Sequence, residues 1–535
     1  MKRFLDKVKE KAFFDDPPST NGSSNHARTE AAPPPPQQDQ PGTILPVTQQ
    51  DVVRYRYHHG CNLGSIFVQE RWLTPSMFAE GHQGSSELAA AENWVKQLGM
   101  DGARQRFEHH WRDYVSNADL DWLRDTAKCT TIRLPIGFYD LGPRFCEKSA
   151  FKNVAPIYLN AWQAIKDIIQ RCHTRGIGVL IDVHALPGGA NGGEHSGTNS
   201  GKAEFYHSRK YTKLATECIC FIAQDTRDVG GIAGIQIVNE AEWDAPGLYD
   251  WYSDVLKEVS QIDTAVPIYI SDGWDLGRGA AWAQSQNAIG NRHRNPVVVD
   301  THLYWCFTDA DQQKSPQQIT GEVWSKLSEL EIKDGSVHDR GAVQAIIGEY
   351  SCVLGDASWA KGGGEAKEQL VRAFGNAQSQ RYQQRAGGSF FWTYRMDWMD
   401  GGEWGFKQMT NQHAIIPPAS LMASDIHGRI ENAQGQRDFR RGNTWGSHCA
   451  YWDGNHPGEY EHWRFEAGWN VGWNDALAFF QTRSQSGQEG GDKIGMLDLW
   501  VLKRMRESGQ GGKFIWEFEQ GLRQGVRDFY ECVGV

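Results

Sequence analysis

No window of about 18 consecutive apolar residues occurs in this 535-residue chain, so no segment has the length to cross a bilayer as a helix. No long basic block interrupts its body either, and a formal net charge of −11 gives no electrostatic reason to expect nucleic acid. The ten cysteines lack the paired spacing of a metal site, and Cys218-Ile219-Cys220 is too close for the usual CxxC pattern. The opening residues Met1 to Lys11 lack the uninterrupted apolar stretch of a secretory signal, which predicts reduced thiols and a cytoplasmic location. The only Asn-x-Ser/Thr sequon, Asn21-Gly22-Ser23, falls in a polar tail.

What is abundant is tryptophan, at 22 residues, and indole faces suit the apolar side of a sugar ring. A neutral, polyol-like ligand fits this balance better than a charged polymer. Residues 1–14 carry Phe4, Leu5, Val8, Ala12 and Phe13 near helical spacing with lysines opposite, a weak candidate for contact with a membrane surface. Residues 15–46, rich in Pro, Ser, Asn and Gln, cannot bury enough apolar surface to offset ordering entropy, so 1–46 is expected to be a disordered tail.

From residue 60 strand-like runs recur at about 60–68, 130–137, 178–186, 232–240, 267–274, 297–305, 344–351 and 388–396. Between them lie helical patterns such as 157–169, whose apolar positions return every three or four residues. Eight strand–helix repeats predict an α/β fold, a (β/α)8 TIM barrel over 47–410. An open doubly wound sheet is disfavoured because no Gly-rich dinucleotide turn follows the first strand. Residues 410–456 read as irregular and polar, whereas 457–482, 493–507 and 513–531 read as a helical C-terminal extension. The segment 411–535 is expected to include the last barrel helix.

Two strands end abruptly in glutamate: Ile235-Gln236-Ile237-Val238-Asn239-Glu240 and Ala345-Ile346-Ile347-Gly348-Glu349-Tyr350. A carboxylate finishes a buried strand poorly unless the strand delivers it to a site. Other strands end in Arg133, Asp182 and His184, Asp300, His302 and Tyr304, and Trp392. In a parallel barrel these ends meet at one face, where the chemistry is kept. Two carboxylates there suit glycoside cleavage, one protonating the leaving oxygen and the other attacking.

These residues resemble glycoside hydrolase family 5. The likeness runs from Gly60-Cys61-Asn62-Leu63-Gly64 and Glu70-Arg71-Trp72-Leu73-Thr74-Pro75-Ser76 through Ile132-Arg133-Leu134-Pro135, Asp182-Val183-His184 and Asn239-Glu240. It continues to His302-x-Tyr304, Gly348-Glu349-Tyr350 and Phe391-Trp392-Thr393-Tyr394. The opening segment and the loop Asn191 to Ser200 look most like the fungal exo-β-1,3-glucanase branch, and the aromatic C-terminal extension like its intracellular members. The resemblance implies Glu240 as general acid/base and Glu349 as nucleophile. It implies that Asn239 binds the sugar 2-hydroxyl, that Arg133 and Tyr304 hold the nucleophile, and that His302 sets the proton affinity of Glu240, an acid expected to need a raised pKa. His184 and Glu70 would grip sugar hydroxyls and Trp392 would form the floor. Trp305, Phe307, Trp398 and Trp404 are further aromatic candidates. One departure stands out: many relatives have Asn-Glu-Pro where this chain has Asn239-Glu240-Ala241, which opens the geometry of the leaving-group side.

The reading that the resemblance implies is a retaining exo-acting β-glucosidase or β-1,3-glucanase with a carbohydrate substrate, needing no metal and no organic cofactor. Small glucosides or glucolipids are the alternative within the same chemistry, and a catalytically idle carbohydrate-binding scaffold is the alternative outside it.

Overall fold

The computed structural model describes residues 42–331, 335–456 and 458–535. Eight strands form one sheet: β1 (His58–Cys61), β2 (Thr131–Gly137), β3 (Gly178–Ala185), β4 (Ile232–Gln236), β5 (Ile268–Ser271), β6 (Val297–Trp305), β7 (Ala345–Leu354) and β8 (Gly388–Phe391). All neighbours are parallel, in the order β1-β8-β7-β6-β5-β4-β3-β2. β1 and β2 close the ring through a bridge between Asn62 and Arg133, with Thr130 N–H donating to the His59 carbonyl at 2.8 Å and Leu63 N–H to that of Arg133 at 3.1 Å. This is the expected (β/α)8 barrel.

Helices of seven residues or more are numbered in chain order: α1 (Gln49–Tyr55), α2 (Glu87–Asp113), α3 (Asn117–Asp125), α4 (Ala161–His173), α5 (Arg209–Thr226), α6 (Leu248–Val259), α7 (Leu276–Gln286), α8 (Pro316–Val323), α9 (Lys367–Arg385), α10 (Ile426–Asn455), α11 (Trp463–Gln485), α12 (Leu497–Ser508) and α13 (Ile515–Cys532). Local chemistry marks their starts. Thr48 and Ser116 form capping boxes with Asp51 and Asp119, and the Ser86 hydroxyl accepts from Ala89 N–H to open α2. In α4 the buried residues Trp162, Ile165, Ile168, Ile169 and Cys172 form the stripe its sequence announces.

Several strands are shorter than their apolar runs. β1 stops at Cys61 although Ile66, Phe67 and Val68 are buried, because those side chains fill a turn rather than a ladder. β4 leaves its ladder at Gln236 and β8 at Phe391, freeing the following residues for loops above the barrel.

Residues 410–456 require correction. Most of this stretch is the 30-residue helix α10, not irregular chain. Its buried residues are only Ile426, Ala433 and His448, so it carries no apolar stripe for a periodicity argument to find. The extension expected downstream is present as α11 to α13. α11 and α13 approach closely: a Cβ on Gly468 or Gly472 of α11 would meet the α13 backbone oxygen of Phe518 or Leu522 at 2.0 Å. Gly521 and Gly525 of α13 reciprocate against the backbone oxygens of Phe465 and Trp469.

Around this pair Trp469, Trp473, Phe479, Trp500, Phe518 and Phe529 form a core shared with the barrel residues Leu180, Tyr269, Val298, Ile346 and Phe390. Trp469 donates to Asp528 at 2.7 Å and Trp500 to Asp475 at 2.9 Å, so these buried indoles keep a polar partner. The expected tail boundary also moves. Residues 42–46 lie against α12, where Arg504 Nη1 donates to the Leu45 carbonyl at 2.8 Å. The amphipathic start at 1–14 and the sequon fall outside the described residues. All ten cysteines are free thiols, and no described helix is long and apolar enough to cross a membrane.

Candidate active site

The strand ends converge on Arg133, which leaves β2 fully buried. Its Nη1 donates to Glu349 Oε1 at 3.0 Å and to Asn62 Oδ1 at 2.8 Å; Nη2 reaches Asn239 Oδ1 at 2.7 Å and Asp182 Oδ2 at 3.0 Å; Nε donates to Gln236 Oε1 at 2.9 Å. One guanidinium thus fixes side chains on or just beyond β1, β3, β4 and β7, which its planar fork of donors does better than an ammonium. Burial opposes its charge, but Asp182, Asp300 and Glu349 outweigh that and raise its pKa further.

Asp300 on β6 ties the next layer. Its Oδ2 accepts from Gln236 Nε2 at 2.6 Å and lies 3.1 Å from His302 Nε2. Gly348 permits this arrangement, since a Cβ there would lie 2.1 Å from Asp300 Oδ1. Tyr304 donates to Glu349 Oε2 at 2.8 Å, so that carboxylate is held from both sides.

Glu240 lies just beyond β4 with φ of 43°, a left-handed conformation that costs a non-glycine residue about 1–3 kcal/mol and persists where the surroundings enforce it. The surroundings are Asn191 Nδ2, donating to the Glu240 carbonyl at 2.9 Å, and Ser271 Oγ, accepting from Ala241 N–H at 3.1 Å. The side chain lies between two imidazoles. His302 Nδ1 is 3.0 Å from Oε1, and His195 Nε2 is 3.1 Å from Oε2. Burial would raise the Glu240 pKa, but His195 and His302 together outweigh it and hold the carboxyl well below its usual range. The direction is therefore opposite to the raised pKa expected of the acid.

A cavity of about 270 Å³ opens onto both glutamates, lined by Glu70, Trp72, His184, His195, Asn239, Glu240, Tyr304, Phe307, Glu349, Trp392 and Trp404. The Trp392 indole stacks on His184 at 5.8 Å and 12°, and His184 Nδ1 lies 2.7 Å from Asp182 Oδ2. Glu70 accepts from Trp72 Nε1 at 2.9 Å, and burial lifts its pKa. All nine expected site residues meet here, Arg133 and His302 from behind the cavity wall. Of the four further aromatics, Phe307 and Trp404 line the cavity and Trp398 flanks it through Trp72, at 6.2 Å between rings. Trp305 does not: it is buried and turned edge-on to Phe374 of α9.

His195 was not foreseen, because the Gly/Asn/Ser-rich loop that carries it has no periodicity from which to read a direction. Asp182, Asp300 and Gln236 were visible as polar strand residues, but their pairing depends on register across four strands. Among the described residues, two groups bring three donor atoms within 4.8 Å of one another: Glu240, His302 and Glu349, and, in the extension, His448, His462 and Glu517. Hydrogen bonds account for both. In the second, Glu517 Oε2 lies 3.0 Å from His448 Nε2 and 2.7 Å from His462 Nδ1.

Residues 89–379 match the cellulase family, glycosyl hydrolase family 5. The chain belongs to that family. Residues 433–533 match the C-terminal domain of glucan 1,3-beta-glucosidase 3. The chain is 32% identical to glucan 1,3-beta-glucosidase 3 of Schizosaccharomyces pombe over 89% of its own length and 96% of that protein. It is 29% identical to an uncharacterized glycosyl hydrolase of Saccharomyces cerevisiae, over 89% and 92%. A rutinosidase from Aspergillus niger superposes with a TM-score of 0.52 at 16% identity, covering 68% of this chain and 99% of that one, a likeness of fold alone.

The protein is thus a retaining glycoside hydrolase of family 5. Its carboxylate geometry agrees: one oxygen of Glu240 and one of Glu349 lie within 4.8 Å of each other. That is short of the roughly 6.5 Å at which a water fits between the two carboxyls of an inverting enzyme.

Proposed function

We propose that the enzyme removes single β-linked glucose units from the end of a β-1,3-glucan or its oligosaccharides, with Glu349 as nucleophile and Glu240 as acid/base. The observation that carries the exo reading is the small cavity with Glu70 in its wall. At about 270 Å³ it lies just under the roughly 300–1,000 Å³ of drug-sized ligand sites, room suited to a terminal sugar rather than a threaded chain. The linkage is supported by the names of the relatives in Schizosaccharomyces pombe and Candida oleophila.

In the first step Glu349 attacks the anomeric carbon while a proton passes from Glu240 to the departing oxygen; in the second, Glu240 takes a proton from water, which displaces Glu349. Arg133 and Tyr304 hold Glu349 from both sides and keep it aimed. Asn239, held by Arg133, offers its amide to the 2-hydroxyl as charge develops on the ring, and Trp392 stacks beneath. A cytoplasmic setting belongs to the same proposal, and ten unpaired thiols support it.

A specific feature favours glucosides with an apolar aglycone as a second reading. Trp72, Trp398 and Met399 are 42%, 41% and 42% exposed beside the cavity mouth, an apolar rim that a sugar polymer does not require. The deciding experiment is early-time NMR of purified enzyme on a β-1,3-linked oligosaccharide and, in parallel, on aryl and lipid β-glucosides, with Glu349→Ala as control. Glucose released first as the β-anomer from the oligosaccharide is the expected result. Release from glucosides alone moves the function to aglycone removal, and silence on all substrates defeats both readings. With azide, Glu240→Ala is expected to form the β-glycosyl azide; a β-azide from Glu349→Ala instead would exchange the two roles.

A further inference from the structure

His195 is the one imidazole against Glu240 whose outer nitrogen is not tied to a carboxylate. It sits in the loop after β3, which is held tightly around it. Gly193 N–H donates to Asn191 Oδ1 at 2.7 Å, Ser196 Oγ to the Gly193 carbonyl at 2.6 Å, and Leu88 N–H to the Gly197 carbonyl at 3.2 Å. Gly193 leaves room for the ring, since a Cβ there would lie 2.4 Å from His195 Cε1. The loop is also pinned to the acid/base itself through Asn191 and the Glu240 carbonyl.

The imidazole is buried in the cavity wall with Nε2 directed at Glu240 Oε2, 3.1 Å away but off the hydrogen-bond line, so Nε2 has no aligned partner. Catalytic contacts of this kind tighten when substrate binds. The charged and titratable groups facing the ring come from four elements: Glu240 beyond β4, Glu70 from the β1–α2 loop, Glu349 on β7, and His184 on β3, whose ring lies 5.8 Å away. His302 faces Glu240 from the opposite side.

We propose that His195 shares the acid proton with Glu240: as the glycosidic bond breaks, Nε2–H of His195 passes its proton to Glu240 Oε2 and Glu240 delivers it to the departing oxygen, leaving a carboxylate and a neutral imidazole; the proton that Glu240 takes from water in the second step passes back to the imidazole. This rests on the assignment of Glu240 as acid/base. The balance closes without any further reactant. Before reaction the pair holds one proton beyond neutral imidazole and carboxylate; the leaving group removes it, and water supplies it again.

The consequence is an acid that stays loaded into alkaline solution. Burial disfavours the imidazolium, but Glu240 chiefly, with Glu70 and Glu349, raises the His195 pKa to about 9. The pair therefore keeps its proton where a lone carboxylic acid has lost it.

The test compares pH profiles of wild type and His195→Gln on two substrates: a β-glucoside with a poor alkyl leaving group, which needs the proton, and 2,4-dinitrophenyl β-glucoside, which does not. For the alkyl glucoside the alkaline limb of kcat/KM is expected to move down by at least one pH unit, so that the variant is about tenfold or more slower above it. On the activated substrate the loss should be smaller and the same at every pH. Added imidazole should partly restore the alkaline limb of His195→Ala. An unmoved limb, or equal losses on both substrates across the range, overturns the proposal and leaves His195 a structural residue. A readout independent of turnover separates this from failure of the glycosidase reading. By NMR, His195 should titrate near 9 in the wild type and near an ordinary histidine in Glu240→Gln; identical titration in the two proteins refutes proton sharing whatever the enzyme hydrolyses.

Discussion

Arg133 is the residue on which the site hangs. It is buried with Asp182 at 3.0 Å, Glu349 at 3.0 Å and Asp300 at 3.6 Å, so removing it leaves three carboxylates without their counter-charge. Breaking a buried pair by deleting one partner costs about 3–5 kcal/mol, far more than the pair's net worth, because an uncompensated charge remains. Arg133→Met is therefore expected to lose about 3–5 kcal/mol in chemical denaturation at neutral pH and nearly all turnover. A loss below about 1 kcal/mol would mean that the three carboxylates do not depend on Arg133. At this scale the sequence was informative about identity and poor about partnership. Glu240 and Glu349 were legible because a carboxylate interrupts a β-branched run. Arg133 was legible as a charge inside an apolar strand. That Arg133 also grips Asn239, and that Gln236 bridges Arg133 and Asp300, depends on which residues of neighbouring strands stand side by side.

Among the elements, α11 and α13 depend on small residues at one seam. Gly468, Gly472, Gly521 and Gly525 let the two backbones approach so closely that a Cβ at any of them would meet a carbonyl oxygen of the other helix. Gly472→Val would drive its side chain into the Leu522 carbonyl, and overpacking of this kind costs about 1–3 kcal/mol or more. Gly442 in α10 supplies the control, since a Cβ there meets nothing within 4 Å. Gly442→Ala is expected to stabilise by roughly 0.5–1 kcal/mol, the ordinary cost of a helical glycine. Thermal melts of both variants check the pair, and equal shifts would show that the seam is not close-packed. The helical reading of 457–531 rested on tryptophan and phenylalanine spacing, which marks what is buried. It could not mark α10, whose polar surface is covered on one narrow side only.

For the whole molecule the decisive fact is that one core runs from the extension into the barrel. Tyr269, Val298, Ile346 and Phe390 from the strands share it with Trp473, Trp500 and Phe529. A chain ending at residue 412 would expose that apolar surface at the barrel end remote from the glutamates, so barrel and extension are expected to fold as one unit. Expressed as residues 42–412, the barrel should be insoluble or bind a hydrophobic dye. The chain beginning at residue 42 and running to its end should melt in a single transition, with turnover on a soluble glucoside unchanged. A soluble, active barrel without the extension would show that the two cores are energetically separate.

Strand and helix rhythm, the closure of eight repeats and the two carboxylates at strand ends were set locally, by side-chain period and by the cost of ending a buried strand in charge, and the sequence carried them. The tertiary structure decided the rest. It turned Trp305 into the core while Phe307 faced the cavity, a choice made by local backbone direction. It placed the extension across the barrel, a choice made by which apolar surfaces remained uncovered. It set His195 against Glu240, because a glycine-rich loop takes its direction from what it packs on rather than from any pattern of its own.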